Sequence, residues 1–148
     1  MKGMAAMSQE SIARVQALEA AIIDMPQTAI DTHHVLHGGQ YVRTIFIPAT
    51  VAIVGALIRV PTTLMLSGDC TVYLGDEPVR VTGYAVLAAS AGRKTAFYAH
   101  APTYLTMSFA TSAETVEAAE DEFTVDAERL LSRSGRGTNI IMITGVMK

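Results

Sequence analysis

The sequence predicts an all-β core of sandwich or barrel type, with helices added before and after it. Three observations lead there. Between Tyr41 and Ala110 the chain reads as successive short apolar stretches: YVRTIFIPA, VAIVGALIRV, TTLMLSG, CTVYLG, PVRVTG, YAVLAASAG, KTAFYAH and TYLTMSFAT. Gly or Pro stands at nearly every boundary, and short strands separated by turn signals are the pattern of closed or stacked β architectures. On both sides of this run the apolar spacing changes from strand-like to helical.

Half of the 148 residues are hydrophobic and 17% are charged, against roughly 25% charged in an average soluble domain. Such a surface predicts that partner chains cover part of it. The net charge of −3 and the lack of a basic run argue against nucleic-acid binding. Pro, Gly or Arg interrupts every apolar run before the roughly 18 residues that a membrane helix needs. The opening MKGMAAMSQES has no apolar h-region, so no signal peptide is expected. The single Cys70 has no internal disulfide partner, which predicts a reduced, cytosolic setting and a small buried hydrophobe rather than a nucleophile.

The length suits one domain with extensions: an N-terminal arm and helix (1–27), the β core (28–110), an acidic helix (111–131), and a linker with an apolar tail strand (132–148). Ser8 is placed to cap a helix from Gln9 to Asp24, which Pro26 closes. Ile12, Val15, Leu18 and Ile22 make one apolar stripe on it, with Arg14, Gln16 and Glu19 away from the stripe. His33, His34 and His37 follow in THHVLHGG. Imidazole is a common metal ligand, yet His33 and His34 point to opposite faces of an extended strand, so they read as edge-strand histidines.

Within the core, Ser67-Gly68-Asp69 and Gly75-Asp76-Glu77-Pro78 read as hairpin turns. Arg43, Arg59 and Arg80 alternate with apolar neighbours and are expected on a solvent or subunit face. Arg93-Lys94 is expected in a loop that could meet an acidic partner. Neither G-x-S-x-G nor H-E-x-x-H occurs. Thr111-Ser112-Ala113-Glu114 has capping-box character, and the helix expected after it holds seven acids against Arg129 alone. Val116, Ala119, Phe123 and Leu130 form its apolar stripe, leaving the acids as a solvated or docking face. The basic linker SRSGRGT then leads to NIIMITGVM, which reads as a strand that either completes its own sheet or joins that of another subunit.

Residues 18–123 resemble cupin-like proteins encoded by tailed bacteriophages and prophages. The resemblance is carried by LEAAIIDMPQ, HHVLHGGQYVRTIFIPA, Gly55, LMLSGDCTV with its acidic turn, AGRKTAFYAH, and the acidic helix beginning near Ser112. It implies a cupin-like jelly-roll, or double-stranded β-helix. In metal-binding cupins the first motif supplies histidines and a glutamate. Here the two expected His positions fall on Ile58 and Thr62, Pro61 replaces an acidic residue, and the second motif reads Ser90-Ala91-Gly92. His100 alone matches a ligand position, and one ligand does not hold a catalytic ion. The resemblance thus implies no cofactor, no catalytic residue and a barrel filled by its own side chains.

These readings lead to a structural expectation. The chain would be a virion protein, a capsid cement or decoration protein made in the bacterial host cytoplasm. It would act as a dimer or trimer on the capsid surface, in contact with the major capsid protein. The expected contact residues are Ile12, Val15, Leu18 and Ile22, the basic Arg133 and Arg136, and the tail residues Asn139, Ile140, Ile141, Met142, Ile143 and Val146. The alternative is a metal-dependent cupin enzyme or small-molecule binder using His33, His34, His37 or His100. A dry barrel packed by Ile58, Leu64, Leu66 and Val86 would oppose that alternative. A regulatory or host-interaction role has no recognition motif in its favour.

Overall fold

Three long strands carry the fold, each fusing two of the short stretches read from the sequence. In the computed structural model, which describes residues 1–144, β1 is Gly3–Met4, α1 Gln9–Ile22, β2 Thr32–His37, β3 Gln40–Ile47 and β4 Ala52–Val54. Then follow β5 (Thr62–Tyr73), β6 (Val79–Ala89), β7 (Ala96–Ala110), α2 (Val116–Phe123) and β8 (Asn139–Ile143). The sheet order is β1-β6-β5-β7-β3-β2-β8. Pairing is antiparallel except where β1 joins β6 and β8 joins β2. The N-terminal half of β7 carries β4 on the edge where its C-terminal half carries β3. The sheet thereby rolls up into the cupin-like jelly-roll, an all-β core with an added helix on each side.

The fusions correct the expected turn at Ser67-Gly68-Asp69. Gly68 lies inside β5 at a register shift against β7 and pairs across with Gly83 of β6. Both have positive φ, 149° and 77°, so glycine bends the hairpin where another residue would be strained. At Gly68 an added Cβ would lie 2.7 Å from the Pro102 carbonyl oxygen and 2.8 Å from Thr103 Cα. The Asp69 N–H, displaced from the ladder, donates to Thr103 Oγ1 at 3.2 Å. The other expected turn, Gly75 to Pro78, does connect β5 to β6.

Inside the roll, Tyr41, Ile45 and Ile47 of β3 meet Leu64, Leu66, Leu105 and Phe109 in one buried cluster. Cys70 belongs to it, and burial pushes its thiol up, as expected of a small inert hydrophobe. Ser8 caps α1 by accepting from Ser11 N at 3.0 Å. The helix stops at Ile22, and its buried residues are Ser11 and Val15. Leu18, expected on the apolar stripe, is exposed, while Glu19, expected away from it, is half-buried and paired to Lys94 at 3.2 Å.

The acidic helix is shorter than its expected span. Thr115, not Thr111 or Ser112, is the cap and accepts from Ala118 N. Regular structure stops at Phe123 because Thr124 is extended and Arg59 takes the last carbonyls. Arg59 N donates to Phe123 O at 2.9 Å, Arg59 Nε to Glu122 O at 3.1 Å, and Nη2 to Asp121 O at 2.5 Å. A cation there also suits the helix dipole. Two short 3-10 turns, Ala127–Arg129 and Leu131–Arg133, continue the chain. The tail completes its own sheet: β8 runs parallel to β2 with Thr32 opposite Asn139 and Leu36 opposite Ile143. The linker is tied down by Thr138 N donating to Asp31 Oδ1 at 2.8 Å. No helix among the described residues is long and apolar enough to cross a membrane.

Candidate functional site: a hollow in the barrel

The expectation of a side-chain-filled barrel is met in part: Leu64 and Leu66 pack in the buried core with Ile58 against them, but side chains do not fill all the space. A cavity of about 690 Å³ lies between the inner sheet surface, the end of α1 and the segment after α2. Its floor is apolar, built by Ile53, Leu64, Phe97, Leu105 and Met107. Ile58 and Leu64 line the space instead of closing it, and Leu66 is fully buried. Val86, expected inside, is exposed because its strand parity sets it on the outer face.

The wall chemistry is lopsided. Arg43, Arg93, Lys94, Arg129 and Arg136 reach the cavity against Glu19 and Asp126, in a chain whose net charge is −3. Most of these cations have partners. Glu19 takes Lys94 at 3.2 Å and Arg129 at 3.7 Å. Lys94 Nζ also donates to Gly55 O at 2.9 Å. The Arg93-Lys94 pair sits in a loop as expected, between β6 and β7, but it is buried there, and the acid that Lys94 meets belongs to the same chain.

Arg93 differs. It is 3% exposed, and it donates to Ser90 O at 2.7 Å and to Thr62 Oγ1 at 2.6 Å. Ion pairs among the described residues involve every cavity arginine except Arg93 and the exposed Arg136. Burial pulls the Arg93 guanidinium down to about 10, so it stays charged at neutral pH. Its backbone is fixed by a β-bridge to Ile58, with Ile58 N donating to Arg93 O at 2.8 Å. Ile58 and Thr62, the positions where the resemblance places a metal's histidines, are thus one a backbone partner and the other a side-chain partner of Arg93. Ile has no lone pair, and the Thr62 hydroxyl is engaged, so this donor set does not fit a transition metal.

Arg43, expected on an outer face, points inward beside Tyr41 and Ile45. It donates to Glu120 Oε2 at 2.8 Å, to Ser132 Oγ at 3.1 Å and to Tyr41 Oη at 3.2 Å, and lies 5.5 Å from the Phe123 ring centre. Glu120 is 2% exposed and also accepts from Arg133 at 2.9 Å and from Ser132. Burial alone would push the Glu120 carboxyl up; the hydrogen bonds from Ser132, Arg133 and Arg43 outweigh it and hold the group below its ordinary value.

The histidines do not converge. His34 is buried with both ring nitrogens engaged, Nδ1 at 2.7 Å from Tyr41 Oη and Nε2 at 2.7 Å from Asn139 Oδ1. Asn139 Nδ2 donates to Ser132 O at 2.7 Å, so its Oδ1 is the acceptor for His34 Nε2–H and Tyr41 donates to Nδ1. Burial lowers the His34 imidazole. His33 and His37 are exposed, and His37 bonds Thr144. His100 lies on the outer face, with Nε2 at 2.7 Å from Thr71 Oγ1 and its ring edge-on to Tyr98. No group of three metal-ligating residues occurs among the described residues.

The residues expected at subunit contacts are scattered. Arg133 and Asn139 make the contacts just described within the chain. Ile140, Ile141, Met142 and Ile143 are exposed along β8, and Val146 lies outside the described residues. The pattern missed Arg93 and Glu120. Strand parity, which sets Arg43 in phase with Tyr41 and Ile45, was a usable signal for Arg43.

A second surface emerges from the sheet register. On the outer face, Tyr84, Ser67, Tyr104 and Phe46 lie in one row across four strands. The next row is Val86, Met65, Thr106, Thr44, His33 and Ile140. Neither row holds Asp, Glu, Lys or Arg, Tyr84 is 70% and Tyr104 54% exposed, and the Phe46 and Tyr104 rings meet edge-on at 4.9 Å.

No protein-family model matches the sequence, and a search of curated proteins found no match. Solved structures with a similar arrangement include a cupin superfamily protein from Desulfitobacterium hafniense (TM-score 0.47, 11% identity, 63% of this chain and 87% of that one). Ectoine synthase from P. lautus gives 0.47 and 15% identity over 70% and 83% of the two chains. The DMSP lyase DddQ from Ruegeria pomeroyi gives 0.44 and 12% identity over 78% of each.

Proposed function

We propose that this chain is a cupin-like barrel that binds a small organic molecule in its interior, using apolar contact and fixed cations in place of a metal centre. The cavity carries this reading. Small barrels are filled by side chains unless they hold a ligand, and about 690 Å³ falls in the roughly 300–1,000 Å³ range of small-molecule sites. The activity proposed is binding without turnover. No histidine or cysteine lines the cavity among the described residues, and of its two wall carboxylates Glu19 is tied to Lys94 and Arg129 while Asp126 is exposed.

The test is uptake of an environment-sensitive apolar dye, such as an anilinonaphthalene, by the folded protein and by Leu105→Trp, which fills the floor. The dye should bind once per chain and be lost in Leu105→Trp. Equal binding by both proteins would remove the cavity from the account.

A second reading is favoured by the two uncharged rows of the outer sheet face and the exposed apolar side chains of β8: a self-associating structural protein. Its concrete form is a capsid cement or decoration protein in contact with a major capsid protein on a phage particle. The particle itself decides this. The chain should be a high-copy component of purified virions by mass spectrometry, and its absence from them would end the reading.

A further inference from the structure

We infer that the ligand of the barrel cavity is an organic monocarboxylate with an apolar body, its carboxylate received by Arg93. The inference rests on the proposal that the cavity binds a small molecule, and it adds the chemical class.

Arginine is almost never fully buried without a counter-ion. Taking an unpaired charge out of water is strongly unfavourable. Arg93 is buried, yet its two protein acceptors are a backbone carbonyl and a neutral hydroxyl. A guanidinium has five N–H donors in a planar fork that matches a carboxylate with two parallel hydrogen bonds. Two of those donors are engaged by Ser90 and Thr62, leaving donors for a ligand.

The neighbours sharpen the class. The other wall cations that are not exposed have carboxylate partners, Arg43 in Glu120 and Lys94 in Glu19, which it shares with the exposed Arg129. Of the three wall cations that are not exposed, Arg93 alone has no carboxylate partner among the described residues. That suits a single negative charge, whereas a phosphate dianion calls for several cations or a cradle of backbone N–H groups. The floor of Ile53, Leu64, Phe97, Leu105 and Met107 offers the rest of the ligand only apolar contact. The β-bridge to Ile58 fixes the Arg93 backbone, and Ser90 and Thr62 hold its guanidinium before the ligand arrives, so little ordering is needed on binding.

The experiment is calorimetric titration with octanoate and 4-phenylbutyrate, each beside its neutral amide, on the full chain and on Arg93→Gln. Either carboxylate should bind at least tenfold more tightly than its amide. Arg93→Gln should erase that difference while the amide and the apolar dye still bind. Arg93→Lys should recover part of it, because it restores the charge without the fork. If carboxylate and amide bind the wild-type chain equally well, the carboxylate inference fails and the cavity reading stands. If the dye enters no cavity and none of the four compounds binds, both fail together. The wild-type comparison holds even if Arg93→Gln does not fold.

Discussion

Arg43 and Glu120 meet at 2.8 Å beneath α2, with Glu120 almost wholly buried. The sequence sets them 77 residues apart, and their contact fastens the acidic helix to the inner face of β3. A buried pair of this kind contributes little over a well-packed apolar substitute, but breaking it on one side leaves an uncompensated charge. Glu120→Ala is therefore expected to cost about 3–5 kcal/mol in urea unfolding. Arg43→Met combined with Glu120→Leu should recover most of that loss. If the single substitution falls within experimental error of wild type, the pair does not hold the helix.

His34 gives the chain an acid-sensitive step. Its imidazole, ordinarily at 6.5, is lowered by burial, so the unfolded chain takes up the proton more readily than the folded one. The His34 contribution is complete above pH 6.5 and is lost as pH falls through the folded value. Glu120, also lowered, adds a second loss below its ordinary 4.5. Melting temperature should hold level above the first of these values and decline beneath it. His34→Gln keeps one donor and one acceptor for Asn139 and Tyr41, and it should flatten the first decline while leaving the second. An unchanged profile in that variant would assign the decline elsewhere.

Gly68 and Gly83 face each other but differ in what surrounds them. A methyl at Gly83 meets nothing within 4 Å, so Gly83→Ala carries only the left-handed backbone strain, about 1–2 kcal/mol. A methyl at Gly68 strikes the backbone of Pro102 and Thr103, which cannot yield without parting β5 from β7. Gly68→Ala should cost more than about 3 kcal/mol or abolish soluble expression. Equal unfolding midpoints for the two variants would refute the bend.

The row through Tyr84, Tyr104 and Phe46 predicts association through the outer face. Tyr84, Val86, Tyr104 and Phe46 are all exposed on that face, clustered exposed apolar groups mark contact surfaces, and sheet faces pack on one another with strands within about 30° of alignment. Tyr84→Lys with Val86→Glu should shift the wild-type oligomer to monomer in sedimentation equilibrium without lowering the melting temperature of the monomer. A wild-type chain that is already monomeric at high concentration would contradict the prediction.

Much of the fold was legible because local chemistry dictates it. Ser8 as a cap, Pro26 as a stop and alternating strands are written within a few residues of where they act. The lengths of β5, β6 and β7 were not legible, since a glycine that ends a strand and one that bends it look alike until the partner strand is known. The site was harder still. Arg93 does lie in a loop, between β6 and β7, but its burial was not legible from Gly92, Lys94 and Thr95; only the folded sheet brings Thr62 and Ile58 onto it. Glu120 looked like one acid among many on α2, and the helical stripe of Val116, Ala119 and Phe123 held the clue that it shares their side. His34, expected on an edge strand, lies on a strand whose edge β8 covers, and its partner Asn139 is 105 residues downstream.

That distance sets an order of events during synthesis. β8 pairs with β2, so the strand made earliest among the main sheet pairs waits for the strand made last among those described. While a ribosome still holds the tail, β2 to β7 can roll up by their mutual antiparallel pairing, but one margin of β2 stays bare and His34 lacks the Asn139 carbonyl. A nascent chain at that stage has an open strand edge and a half-satisfied imidazole, the condition in which sheets recruit foreign strands. Release of the tail then acts as the closing step, and chains interrupted before Asn139 should reach chaperones more often than completed ones.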